Sequence, residues 1–409
     1  MKTLKIVLNV TLIAAILGLL GSCDILNTGS ENNQISVNND LQKLNERVSI
    51  VNEPVELDTT SGEASTATLT KSNGHTFTHV ATVSSPLDEN GNSLSATSIE
   101  ISSDNKKIYV SYHLNSNPYA GTIDIFDVKD ESNPQIISSV YFSDTDVNAL
   151  EIEKNGKTLW YTGGRDVTKT DYNEETHKGA VVGELKIDKD VFEDYRKETP
   201  LPSYSGNAIV EESQQLYVAS GATGGGFFEL SKDDLSIINQ FDVDFAKYID
   251  KRQGDIIGLS LMNGEQAKFN IMDFKTDEMS GFETNFEVTP PNGKNVIEHR
   301  DAITYGAFGN QGVKGYKFDG GGDPLVYEFD PTGEDVANAV SADGQYVYIA
   351  HGTDGLFITT RAKSPNKEPE GIYSWDNDDQ SSANFVKTDG KFVILANGTD
   401  GLKILKREK

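Results

Sequence analysis

Ala350-His351-Gly352-Thr353-Asp354-Gly355-Leu356 returns as Ala396-Asn397-Gly398-Thr399-Asp400-Gly401-Leu402, a shift of 46 residues, and Asn338 and Asn384 are separated by the same distance. An offset kept by both landmarks marks one unit copied whole. In each copy a β-branched and aromatic run (residues 346–350 and 392–396) leads into a Gly-Thr-Asp-Gly turn and then a second run from Leu356 or Leu402. A period in this range belongs to the blades of a β-propeller.

Working outward, residues 95–409 hold seven units of about 45 residues each, which predicts an all-β, seven-bladed β-propeller. Innermost strands are expected to start at Thr97, Asn148, Asn207, Lys247, Asn295, Asn338 and Asn384. Second strands are expected around Tyr109, Trp160, Tyr217, Ile257, Thr304, Val347 and Val393. The second runs are almost continuously apolar, as strands covered on both faces must be. The seventh unit holds only three strands, and an unassigned strand at residues 77–83 lies ahead of the first. Pairing the two would remove an open sheet edge, so an N-terminal strand is expected to close the ring.

Ahead of the ring, Lys2 and Lys5 precede an apolar run at residues 6–20, too short to span a bilayer and of the length of an export signal. The run ends in Leu20-Gly21-Ser22-Cys23, which resembles the bacterial lipobox. With one cysteine in the chain no internal disulfide can form, and lipidation of Cys23 accounts for its position. Residues 1–22 are thus expected to be a cleaved lipoprotein signal peptide, residues 23–73 the lipidated cysteine and a flexible linker, and residues 74–409 the propeller. The linker is rich in Asn, Ser, Thr, Glu and Gly and buries little. Within it, residues 40–48 suit a short helix capped by Asp40. The implied location is the cell envelope, lipid-anchored to a bacterial membrane, with the outer membrane or cell surface favoured over the inner membrane.

Charge narrows the partners. Sixty-three acidic against 36 basic side chains leave a formal −27, which repels polyanions, so nucleic acid is not an expected partner. A glycan or another envelope protein is, and the body is expected to be a monomer.

At Thr122-Ile123-Asp124-Ile125-Phe126-Asp127-Val128, followed by Ser132-Asn133-Pro134, the first unit resembles the LVIVD repeat of bacterial envelope proteins. Gly355-Leu356-Phe357-Ile358 and Gly401-Leu402-Lys403-Ile404 resemble the start of the same strand. The resemblance implies a propeller, often carried on a lipoprotein, with no shared activity and no catalytic motif.

Candidate site residues fall in two groups. Long loops in the first two units place Tyr112, His113, Arg165 and Asp166 on one rim, and His351 and Asn397 are expected to face the same rim. Asn148, Asn207, Asn295, Asn338 and Asn384 recur at the starts of innermost strands, where they would form a polar collar at the channel mouth. The same asparagines suit backbone bonds between blades. No residue is assigned a catalytic role and no cofactor is expected; among cations only Ca2+ would suit the acidic turns at residues 319–323 and 376–379. The run Asp88-Glu89-Asn90-Gly91-Asn92 fails as a calcium loop because Ser93 and Ile99 stand where Gly and Glu are needed. The six histidines lack zinc spacing. The function expected is a non-enzymatic ligand-binding or protein-scaffolding lipoprotein. Its rival is a propeller enzyme, lactonase-like or glycan-cleaving, acting in the periplasm or at the cell surface through His113, Arg165, Asp166 or His351.

Overall fold

The computed structural model describes residues 35–59 and 76–408, except 116–117, 174–175, 222–223, 291–292, 320–323, 332–334, 363–366 and 376–380. The expected signal peptide, Cys23 and most of the two acidic turns lie outside these residues. Seven antiparallel sheets make up the described chain. Their innermost strands are Ser95–Ile101, Thr145–Ile152, Ser205–Glu212, Ala246–Arg252, Ile297–Arg300, Ala339–Ala342 and Phe385–Thr388. Each packs on the next and the seventh packs on the first, so the sheets form a ring of seven blades.

Apolar side chains hold blade to blade. Second strands such as Tyr346–Ala350 and Phe392–Ala396 are buried along their whole length, because each blade face meets a neighbour. One core joins blades one and two through Ile123, Val140, Leu150 and Tyr161. A larger one joins blades six, seven and one. At about 25 cal/mol per Å² of apolar surface removed from water, these interfaces are the main favourable term.

The seventh blade takes its fourth strand from ahead of the first: Phe77–Val83 runs antiparallel to Leu402–Arg407. The Glu408 amide donates to the Thr76 carbonyl (2.8 Å) beyond the strand end, and Thr78 Oγ1 donates to Glu408 Oε1 (2.8 Å).

Residues 35–59 correct the expectation of a flexible linker through residue 73. Ile35–Asn38 adds a fifth strand to blade one, Val48–Pro54 a fifth to blade seven, and Asp58–Thr59 a fifth to blade six. This strap passes backwards round the ring, covering three outer edges that would otherwise expose unpaired backbone. Alternation explains it: Ile35 and Val37 face the core while Ser36 and Asn38 face out. The short helix forms at Leu41–Asn45, with the Asp40 carboxylate accepting from the amides of Gln42 (3.1 Å) and Lys43 (3.3 Å). Leu44 and Leu57 enter the shared core, and Arg47 makes a two-pronged ion pair with the fully buried Asp124 (2.6 and 3.3 Å).

Candidate functional site

Four innermost strands carry an extra residue just inside their start, at Thr97, Asn148, Asn207 and Lys247, where the pairing register shifts. Such a bulge breaks the ladder locally and re-aims its side chain. These four, with Asn338 and Asn384, line a cavity of about 300 Å³ at one mouth of the channel. Among the described residues its lining contains no carboxylate.

Most of the collar also fastens blade to blade. Thr97 Oγ1 donates to the Val147 carbonyl of blade two (2.8 Å), Asn148 Nδ2 to Gly206 of blade three (3.0 Å), and Asn207 Nδ2 to Ala246 of blade four (2.8 Å). Asn338 Nδ2 donates to Ala383 of blade seven (2.9 Å), and Asn384 Nδ2 reaches Ser95 Oγ of blade one (3.3 Å). Asn295 departs from the expected set. It sits in the left-handed region at φ 52°, its amide turns back to the Gly293 carbonyl (3.0 Å), and it is buried outside the cavity lining. The preceding residue, Lys294, lines the cavity instead.

Lys294 crosses the channel. Its ammonium donates to the carbonyls of Thr97 and Asn148 (3.0 Å to the latter) and lies 4.7 Å from the centre of the Phe385 ring. Burial pushes its pKa down to about 7. Lys247 is also pushed below the ordinary lysine range by burial.

Farther down the channel, three residues along from the upper tier, stand Glu100, Glu151, Asp250 and Glu298, with Lys251 and Lys387 between them. Here the carboxylates accept from the next blade. Glu151 takes the Glu211 amide (3.0 Å), Asp250 the His299 amide (2.6 Å) and Glu298 the Ala342 amide (2.9 Å). Two tiers of polar fasteners therefore join the blades: donors reach carbonyls at the mouth, and acceptors reach amides below. Burial raises Glu100 to about 7 and Asp250 to about 6. Burial opposes the charge on Lys387, yet Glu100 and Glu298 beside it hold its pKa well above the usual lysine value. The sequence signal for this acidic tier is a carboxylate three places after Thr97, Asn148, Lys247 and Asn295.

Of the six rim candidates only His113 lines the cavity. Its ring nitrogens meet Asn148 Oδ1 (3.0 Å) and Asn115 Oδ1 (3.1 Å), and burial lowers its pKa, which favours the neutral ring. Tyr112 is no rim residue. Strand alternation turns it inward, where it is fully buried with the Arg47 guanidinium 5.7 Å above its ring. Arg165 spends its charge inside blade two, donating to Asp144 (2.7 Å) and Glu198. Arg196 completes that network on the same two carboxylates. Asp166 caps the turn Val167–Lys169 by accepting from Thr168 (3.1 Å to its amide).

His351 and Asn397 are 1% and 0% exposed, contrary to the expectation that they face the rim. Glycines at φ 50° and 81° in one copy, and 56° and 83° in the other, fold the Gly-Thr-Asp-Gly turn back over them. His351 is held by Asp354 (3.0 Å) and packs edge-on against Phe357. Among the described residues no three His, Cys, Asp or Glu side chains are grouped to hold a metal ion. Asp88 spends its carboxylate locally on the amides of Asn90 (2.9 Å) and Asn92 (2.7 Å).

No family model matches this chain, and no curated protein is similar to it. Solved structures do resemble it. The WD40 repeats of RRP9 align with a TM-score of 0.58 at 10% identity, covering 78% of this chain and 96% of that one. U3-55K aligns with 0.57 at 9% identity, covering 77% and 96%. A catalytically inactive virginiamycin B lyase from Staphylococcus aureus, solved with quinupristin, aligns with 0.54 at 13% identity, covering 76% and 95%. Likeness at this level of identity speaks for fold alone, and together with the ring of sheets it makes the chain a seven-bladed β-propeller.

Proposed function

We propose that this chain is a non-enzymatic binding propeller whose ligand seat is the cavity at the channel mouth, displayed at a bacterial envelope by a lipid on Cys23. One observation carries the binding assignment: eight polar side chains, contributed from all round the ring, converge on a concave site of ligand size within a fold that fixes their positions. Anchoring rests on the order of Lys2, Lys5, the apolar run and Leu20-Gly21-Ser22-Cys23, and the LVIVD likeness of the first blade agrees with it. A diacylglycerol on the cysteine would hold the chain durably, since each buried methylene contributes about 0.8 kcal/mol.

The enzymatic alternative has lost much of its equipment. Arg165 and His351 are engaged in structural contacts, which leaves His113 as the one rim candidate in the cavity. The binding test is a melting-shift screen of the full chain against sugars, sugar acids, lactones and divalent cations, repeated on Gly293→Leu to narrow the mouth and on a variant with shortened loops in blades one and two. A shift lost in Gly293→Leu and kept in the loop variant supports the cavity; the reverse moves the site to the rim. For the anchor, Cys23→Ser is expected to abolish incorporation of labelled palmitate and release the protein from membranes.

A further inference from the structure

The cavity of this proposed binding reading carries a charge the fold does not use. Thr97, Asn148 and Asn207 each occupy the bulge of their strand and fasten the next blade. Lys247 occupies the same bulge in blade four and its side chain fastens nothing: among the described residues the ammonium has no hydrogen bond, ion pair or ring contact. Asn at this position would join blade four to blade five as it joins the others. An ammonium there gives up that bond and carries the cost of desolvation, with no acid in the cavity wall to offset it. Lys294 adds a second ammonium to the same cavity, seated across the channel against blades one and two. Two of its three donors go to carbonyls and none to a carboxylate.

The asparagine oxygens of the lining have a complementary character. Asn207, Asn338 and Asn384 commit their amide nitrogens between blades, and their Oδ1 atoms accept nothing from the described residues. An Oδ1 accepts a hydrogen bond and so suits a hydroxyl donor, whereas an ammonium suits an anion. The chain as a whole is strongly acidic, so a local cationic seat requires its own residues and does not follow from composition.

We infer that the cavity takes a small polyhydroxylated carboxylate, a sugar acid, with its carboxylate at Lys247 and its hydroxyls on the carbonyl oxygens of Asn207, Asn338 and Asn384. Lys247 sets specificity for the acid, and the asparagines set specificity for the hydroxyls. The depressed pKa of Lys247 fits an ammonium whose counter-charge arrives with the ligand.

The test is calorimetric titration of the full chain with D-glucuronate, D-glucose and sodium sulfate, on the parent and on Lys247→Met, which keeps the apolar stem. Expected are glucuronate binding at least about tenfold tighter than glucose or sulfate, and loss of that margin in Lys247→Met. The unliganded melting midpoint of Lys247→Met should equal or exceed the parent's, since a partly buried charge without a partner among the described residues has gone. Undiminished glucuronate binding by Lys247→Met overturns the inference, as does sulfate binding as tightly as glucuronate. Glucose binding as tightly as glucuronate overturns the sugar-acid assignment and leaves the cavity as a binding site. Failure of all three probes overturns the inference too, and the broader screen with Gly293→Leu then decides separately whether the cavity binds anything.

Discussion

Replacing Arg47 by Met asks how much the strap contributes to the ring. Arg47 reaches from the strap to Asp124 in the third strand of blade one, where the carboxylate is fully buried, and its Nε also donates to the Ser84 carbonyl (3.0 Å). Removing one partner of a buried pair typically costs about 3–5 kcal/mol, because the other charge is left without compensation. Unfolding entropy of roughly 2.1 cal/mol/K per residue gives the unit Ile35–Lys409 about 0.8 kcal/mol/K. A loss of about 4 kcal/mol should then lower the melting midpoint by about 5 °C. Circular dichroism melts measure this, and limited proteolysis should show residues 35–59 cut before the ring. The double variant Arg47→Met, Asp124→Leu replaces the pair with apolar groups and should recover most of the loss. A single variant that melts within 1 °C of the parent and shows no faster cleavage of the strap would refute the reasoning, as would a double variant no better than the single.

Other consequences concern the channel and the ring closure. Glu100 at about 7 and Asp250 at about 6 lie above their unfolded values, so the folded state binds more protons than the unfolded one between about pH 4 and 7 and stability falls as pH rises through that window. Glu100→Gln should therefore gain about 2 kcal/mol on the parent at pH 8, with the gap closing below about pH 5; a pH-independent difference in denaturant midpoints contradicts this. A methyl at Gly163 would meet the backbone carbonyl of Asp146, so Gly163→Ala should cost about 2–3 kcal/mol in chemical denaturation, and a cost under about 0.5 kcal/mol would show that blade two yields freely. Deleting residues 77–83 removes the fourth strand of blade seven and should abolish the cooperative melt, whereas a single sharp transition would mean the ring closes without it.

Much of the fold was legible because propeller blades write themselves locally. The 46-residue echo, the turn glycines and the apolar second strands located the seven innermost strands within a few residues, even in blade four, where Lys247 replaces Asn. Residues 35–59 have the composition of a linker, and the strap they form draws its stability from edges contributed by distant blades. The rim candidates fared worse for a similar reason. Tyr112, Arg165 and His351 carry side chains that suit both a site and a core, and only the packing of Arg47, Glu198 and Phe357 around them decides between the two. Asn148, Asn207, Asn338 and Asn384 line the cavity because the repeat sets their position. Asn295 departs from them through a turn at positive φ that no periodicity announces.

The claim on which the functional account turns is the location of the ligand, and a crystal structure of the full chain with the tightest-binding compound from the screen tests it directly. Density filling the mouth cavity, in contact with Lys247 and at least one of Asn207, Asn338 and Asn384, is the predicted result. Density confined to the blade-one and blade-two loops, with the mouth cavity holding only solvent, would contradict it.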